Sequence, residues 1–237
     1  QPADVLKDEF NGEATASKLA RVREQMEKEE AQYHIISTLD DIAWILNVRG
    51  NDIPHVPVVL SFLVIGKEDA MWFVEENALS DAVKEMAAEC GITIRPYEDV
   101  YAYAATIPEN STVLLDKRKV NYRITNALSE TVHIVSKANP SQLMKSIKNE
   151  IELENTRKAH LLDGIAVTKF MYWLKKNVGK IPMDEVSVSD YLQSLREQME
   201  GYRDISFDTI AGYNANAAMM HYKAEPDTAA KLEPQGM

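Results

Sequence analysis

Five histidines, His34, His55, His133, His160 and His221, and one cysteine, Cys90, are the side chains of this 237-residue sequence best suited to proton transfer, metal ligation or nucleophilic attack. No two of the histidines stand three or four residues apart, which excludes a zinc helix of the HExxH type. A lone thiol closes no internal disulfide and builds no zinc cage, so Cys90, following Ala87-Ala88-Glu89, reads as a small apolar residue. Glycine-rich nucleotide and dinucleotide signatures and the GxSxG elbow are absent, so those chemistries find no local support. His34 and His133 lie in short strand-like runs and are expected to be packed and hydrogen-bonded. His160, near Arg157 and Lys158, is expected to be solvated, and His55, between Pro54 and Val56, to orient a loop.

His221 differs from the rest. The stretch Gly212-Tyr213-Asn214-Ala215-Asn216-Ala217-Ala218-Met219-Met220-His221-Tyr222 joins a small, polar turn to an apolar strand. Such a strand would hold the imidazole rigidly at its end, where it can donate a hydrogen bond to a polarised carbonyl. Among other candidates, Trp44 is expected in the core, and a loop position suits Arg49 to fix Asp40 or Asp52 by a charge-assisted bond.

The elements that must position these residues follow from periodicity. Leu19, Val22 and Met26 recur at helical spacing between Ser17 and Glu30, Tyr33–Ser37 is β-like, and Asp40 or Asp41 can cap a helix through Asn47. Val56–Ile65 and Ala70–Val74 predict a hairpin around Gly66-Lys67-Glu68-Asp69. A helix over Asn77–Cys90 stops at Gly91. Strands at Ile92–Arg95, Val113–Leu115 and Val132–Val135 then alternate with helices at Tyr97–Thr106 and Tyr122–Leu128. This order predicts an α/β domain with a mixed sheet.

Ala138-Asn139-Pro140-Ser141 breaks the alternation and marks the expected domain boundary, giving a linker over 1–13, one domain over 14–139 and a second over 140–237. In the second, a long helix is expected from Ser146 to Gly179. Another should open on a capping box at Ser187-Val188-Ser189-Asp190 and run along Val188, Leu192, Leu195 and Met199. Phe207–Ile210 and Ala217–Tyr222 read as short strands that do not complete a layered core.

With 26 Lys and Arg against 37 Asp and Glu, the net charge of −11 and the lack of a basic stretch argue against a nucleic-acid partner. The longest apolar run, Val56–Ile65, is about half of a membrane span and contains Pro57, so no membrane partner is expected. One cysteine and no visible secretion signal predict a reducing compartment, the cytoplasm. A start at Gln1 in place of Met suggests a piece of a longer protein.

The run Asp40-Asp41-Ile42-Ala43-Trp44-Ile45-Leu46-Asn47-Val48-Arg49-Gly50-Asn51-Asp52-Ile53-Pro54-His55-Val56-Pro57-Val58 strongly resembles the start of the middle domain of three-domain Xaa-Pro aminopeptidases. Lys148-Asn149-Glu150, Arg157-Lys158-Ala159-His160, Asp163-Gly164-Ile165-Ala166, Ser206-Phe207-Asp208-Thr209-Ile210 and Met220-His221-Tyr222 extend the resemblance, in family order, over about residues 14–237. The resemblance implies a creatinase/prolidase N-terminal-like domain with an RNase H-like mixed sheet, followed by the opening of an α+β pita-bread catalytic domain. It implies release of the N-terminal residue from peptides with proline in second position, by two divalent ions, manganese or zinc, that activate a bridging water. The family's metal ligands, two Asp, one His and two Glu, would lie beyond residue 237, so neither bound metal nor activity is expected of this chain alone. Asp208, Asp227 and Glu233 match no ligand position.

By the same resemblance, His221 corresponds to the histidine that lies beside the metals and hydrogen-bonds the substrate, and Arg49 lies in a turn where it would contact substrate or a neighbouring domain. A homodimer is implied for the whole protein. Two relatives of this fold compete with the reading: a metal-free pita-bread binding module, whose partner would be basic given the charge here, and a metal-free creatinase-like hydrolase.

Overall fold

A computed structural model describes residues 2–236, so Gln1 and Met237, the outer ends of the expected linker and second domain, lie outside the described residues. By its internal contacts the chain divides into units 1–153 and 154–237.

The first unit is built on six strands: β2 (Tyr33–Ile36), β4 (Ser61–Gly66), β5 (Ala70–Val74), β6 (Ile92–Arg95), β7 (Thr112–Leu115) and β8 (His133–Ser136). Their order is β6-β5-β4-β2-β7-β8, with β4 antiparallel to both neighbours and the other pairs parallel, so the sheet is mixed as expected. Side chains alternate between faces with the period of two that a strand imposes. Ile35, Phe62, Val64, Phe73, Val113 and Leu115 pack with helices α5 (Asp99–Ala104) and α6 (Tyr122–Ala127). Ile36, Leu63, Ile65, Trp72, Val74 and Leu114 pack on the other side with α2 (Thr15–Lys28), α3 (Leu39–Leu46) and α4 (Asp81–Glu89). Burying side chains of this size contributes about 1.5–3 kcal/mol each.

Several expectations shift. Residues 3–11 are not a linker: β1 (Asp4–Val5) pairs antiparallel with β3 (Val48–Arg49), α1 covers Asp8–Asn11, and Ala3 is buried in the core. Pairing of Asp4 with Arg49 and Val5 with Val48, so far apart in the chain, leaves no local periodicity to read. The hairpin strand begins at Ser61, not Val56, because Pro54 and Pro57 interrupt the ladder and His55 sits at φ 63°. The loop doubles back so closely that a Cβ on Gly50 would lie 2.5 Å from Cγ2 of Val59. Neither Asp40 nor Asp41 caps α3, whose first flanking residue is Thr38. Gly91 does end the helix region with φ 66°.

The division between units falls after Leu153, not at 139/140, since α7 (Pro140–Ser146) packs on α3 of the first unit. The long helix starts later than predicted, as α8 (Glu150–Asn177). Asn149 interrupts the run: its Oδ1 accepts from the Glu152 amide and its own amide donates to Glu152 Oε2, each over 2.9 Å, a reciprocal cap that opens a new helix.

In the second unit α8 and α9 (Glu185–Glu197) are joined by stacking of Trp173 on Tyr191 at 3.9 Å and by Arg196 Nε bonded to Asp163 Oδ1 at 2.6 Å. The capping box at α9 is formed by Asp184 and Ser187, three residues before the one predicted. The expected strands Phe207–Ile210 and Ala217–Tyr222 are absent. The first is irregular, and a 3-10 helix covers Asn214–Ala218. An isolated bridge between Asp184 and Lys231 is the β-pairing present there among the described residues, and a lone apolar run without a partner strand has no ladder to join.

Candidate functional site

The second unit gathers its loops around one carboxylate that the sequence reading overlooked. Glu185, the first residue of α9, is 1% exposed and lies on the helix face of Val188, Leu192 and Leu195, where a packed helix ordinarily carries apolar residues. A buried carboxylate must be met by donors, and Glu185 has four. The Tyr213 amide donates to Oε1 (2.6 Å), while the Ala230 amide (2.8 Å) and the Tyr222 hydroxyl (2.6 Å) donate to Oε2. Asn216 Nδ2 reaches both oxygens at 3.2 and 3.0 Å. Burial alone would raise the pKa of Glu185; the hydrogen bonds from Tyr222, Ala230, Tyr213 and Asn216 outweigh it and hold the group below the ordinary glutamate value. The same bond to Glu185 pushes the Tyr222 phenol up to about 12. The signal available in the sequence was a glutamate in phase with an apolar stripe.

His221 is the next residue to Tyr222. It does not end a strand: it is exposed, in a turn, with a left-handed backbone at φ 55°. Left-handed backbone is unfavourable for a residue with a Cβ, by about 1 kcal/mol. The residue is exposed, so support for this backbone is to be sought in the residues that flank the turn. Met219 and Met220 beside it are also exposed.

Arg49 belongs to the other unit and makes none of the expected bonds to Asp40 or Asp52. Its Nη1 donates to the carbonyls of Ala43 (2.8 Å) and Val48 (3.0 Å), closing the end of α3, and burial lowers its pKa. Asp40 is paired with Lys145, and Asp52 Oδ2 accepts from the Leu60 amide over 2.8 Å. Close by, Lys18 is 1% exposed. Its Nζ donates to the Trp44 carbonyl (3.0 Å) and Asn47 Oδ1 (2.6 Å) and stands 4.3 Å from the Trp44 ring centroid. Burial lowers its pKa to about 8. Trp44 is in the core, as predicted.

The other histidines separate cleanly. His34 is fully buried, with Nδ1 2.9 Å from the Leu114 carbonyl, and burial lowers its pKa to about 4. His133 is exposed on the edge strand β8, not packed as expected, and His160 is exposed on α8. Asp227 and Glu233 are exposed, and Asp208 lies 3.3 Å from Lys223. Among the described residues no group of three or more His, Cys, Asp or Glu side chains is arranged to hold a metal ion.

Comparison with known proteins follows the same division. Residues 1–152 match the family described as Creatinase/Prolidase N-terminal domain, and residues 154–237 match Metallopeptidase family M24. The probable Xaa-Pro aminopeptidase P of Neurospora crassa is 34% identical over 248 residues, which span 100% of this chain and 36% of that protein. Xaa-Pro aminopeptidase 1 of Dictyostelium discoideum is 35% identical over 231 residues, 96% of this chain and 36% of that protein. A crystal structure of X-prolyl aminopeptidase from Caenorhabditis elegans, described as a cytosolic enzyme with a di-nuclear active site, aligns with a TM-score of 0.91 and 28% identity. That alignment covers 98% of this chain and 39% of the other. The chain thus spans well under half the length of these relatives.

Proposed function

This chain belongs to the creatinase/prolidase N-terminal domain family and runs on into part of a family M24 metallopeptidase domain, and on that premise we propose that it is a portion of a metal-dependent Xaa-Pro aminopeptidase. The reaction is release of the N-terminal residue from peptides with proline in second position. The observation that carries this reading is identity of 34–35% to proteins named Xaa-Pro aminopeptidase along nearly the whole chain.

The described side chains do not fit a dinuclear metal site, so the proposal places the ligands for two divalent ions, manganese or zinc, outside residues 1–237. Those ions, when bound, would supply an activated water. The part assigned to this chain is substrate handling: the exposed imidazole of His221 donates a hydrogen bond to the carbonyl of the peptide bond to be cleaved, stabilising the charge that grows on its oxygen. Arg49 acts on substrate only indirectly in this proposal, by fixing the turn after α3. A cytoplasmic location is proposed as well, supported by the cytosolic description of the C. elegans relative.

The test is to express this chain within its longer reading frame, supply Mn2+ or Zn2+, and assay peptides with and without proline in second position. Proline-dependent release of the first residue is expected from the longer protein and none from residues 1–237. A longer protein that carries no metal ligands and leaves such peptides intact would overturn the reading in favour of a binding module.

A further inference from the structure

We infer that Glu185 is a positioning residue whose buried carboxylate holds both flanks of the His221 turn and thereby sets where the imidazole stands. The inference rests on the reading of His221 as the substrate-facing group. On the N-terminal side of the turn, Asn216 is tied to both carboxylate oxygens; on the C-terminal side, Tyr222 is tied to Oε2. Asn216 Nδ2 also donates to the Tyr222 hydroxyl over 3.0 Å, so the three side chains close a ring of hydrogen bonds that joins the two ends of the segment carrying His221. The Tyr213 and Ala230 amides fix the ends of the longer loop to the same group.

The chemistry of the ring requires an ionised carboxylate. Every neighbour presents a donor, and a carboxylate is the side chain that accepts at all of its sites. Glutamine in its place would turn an NH2 group toward either the Tyr213 amide or the Ala230 amide and Tyr222 hydroxyl, setting donor against donor. The Tyr222 hydroxyl is balanced in the same way, donating to Glu185 while accepting from Asn216. With these contacts in place, an exposed residue can keep a left-handed backbone.

The experiment uses the 237-residue chain and two variants, Glu185→Gln and Tyr222→Phe, with NMR of His221 and amide hydrogen exchange as readouts. Both variants are expected to move the His221 Cα and imidazole signals and to speed exchange over residues 213–222 tenfold or more. Exchange within α8 should stay as in the parent, a pattern that general loss of structure would not give. Unchanged His221 signals in both variants would overturn the inference. If Glu185→Gln does not fold, Tyr222→Phe, which leaves the carboxylate three donors, decides alone. Peptide cleavage is not read here, so failure of the aminopeptidase reading and failure of this inference are separate results.

Discussion

Lys145 on α7 donates to Oδ1 of the fully buried Asp41 on α3 over 2.8 Å, a contact between residues 104 apart in the chain. Asn139 Nδ2 bonds the other oxygen at 3.1 Å, and the Thr38 hydroxyl bonds it too. Burial alone would raise the Asp41 pKa, but these donors and the Lys145 charge bring it below 3.8. Lys145→Met removes this cation and leaves a buried carboxylate with neutral donors, so it should cost about 3 kcal/mol in urea unfolding. A change under 0.5 kcal/mol would show that the pair does not hold α7 to α3.

Acid lability should come in two steps, each with a defined sign. His34 has a folded pKa of about 4 against 6.5 when unfolded, so the unfolded chain takes up the proton first. Its contribution is complete above pH 6.5 and is lost as pH falls toward 4, about 3 kcal/mol in all. Asp41, with its folded value below 3.8, adds a second loss below that pH. His34→Gln should flatten the first step and leave the second, as read from urea midpoints between pH 7 and pH 3.

Lys18 predicts an effect at the alkaline end. Its folded pKa of about 8 lies below the unfolded 10.5, so the unfolded state binds more protons between those values and stability rises with pH across that window. The rise attributable to Lys18 is about 3 kcal/mol. In Lys18→Met it should disappear, and a rise of equal size in that variant would assign it to other groups.

His221 and Arg49 should respond oppositely to truncation in the longer protein. His221 is exposed, so His221→Ala should leave the thermal midpoint unchanged while lowering kcat roughly 10²-fold, the scale of losing one oxyanion donor. Arg49→Ala removes two hydrogen bonds that close α3 and should cost about 2 kcal/mol of stability, with KM for a proline-containing peptide within twofold of the parent. A kcat unaltered by His221→Ala would remove the role proposed for it.

What the amino-acid sequence by itself determined was the local texture. The continuous apolar runs Phe62–Ile65 and Ala70–Val74, the helical stripe of Leu19, Val22 and Met26, and the stop at Gly91 each encode their element within a few residues. That was enough for the mixed α/β class and, with the quoted motifs, for the family. Only tertiary structure decided which distant partners those elements take. Asp4–Val5 becomes a strand because Val48–Arg49 offers an edge, and Ala217–Tyr222 forms none among the described residues because it finds no partner. The setting of His221 was decided in the same way: the residue type was visible in the sequence, but its turn depends on Glu185, whose charge is tolerable inside the unit only because four donors from residues 213–230 converge on it.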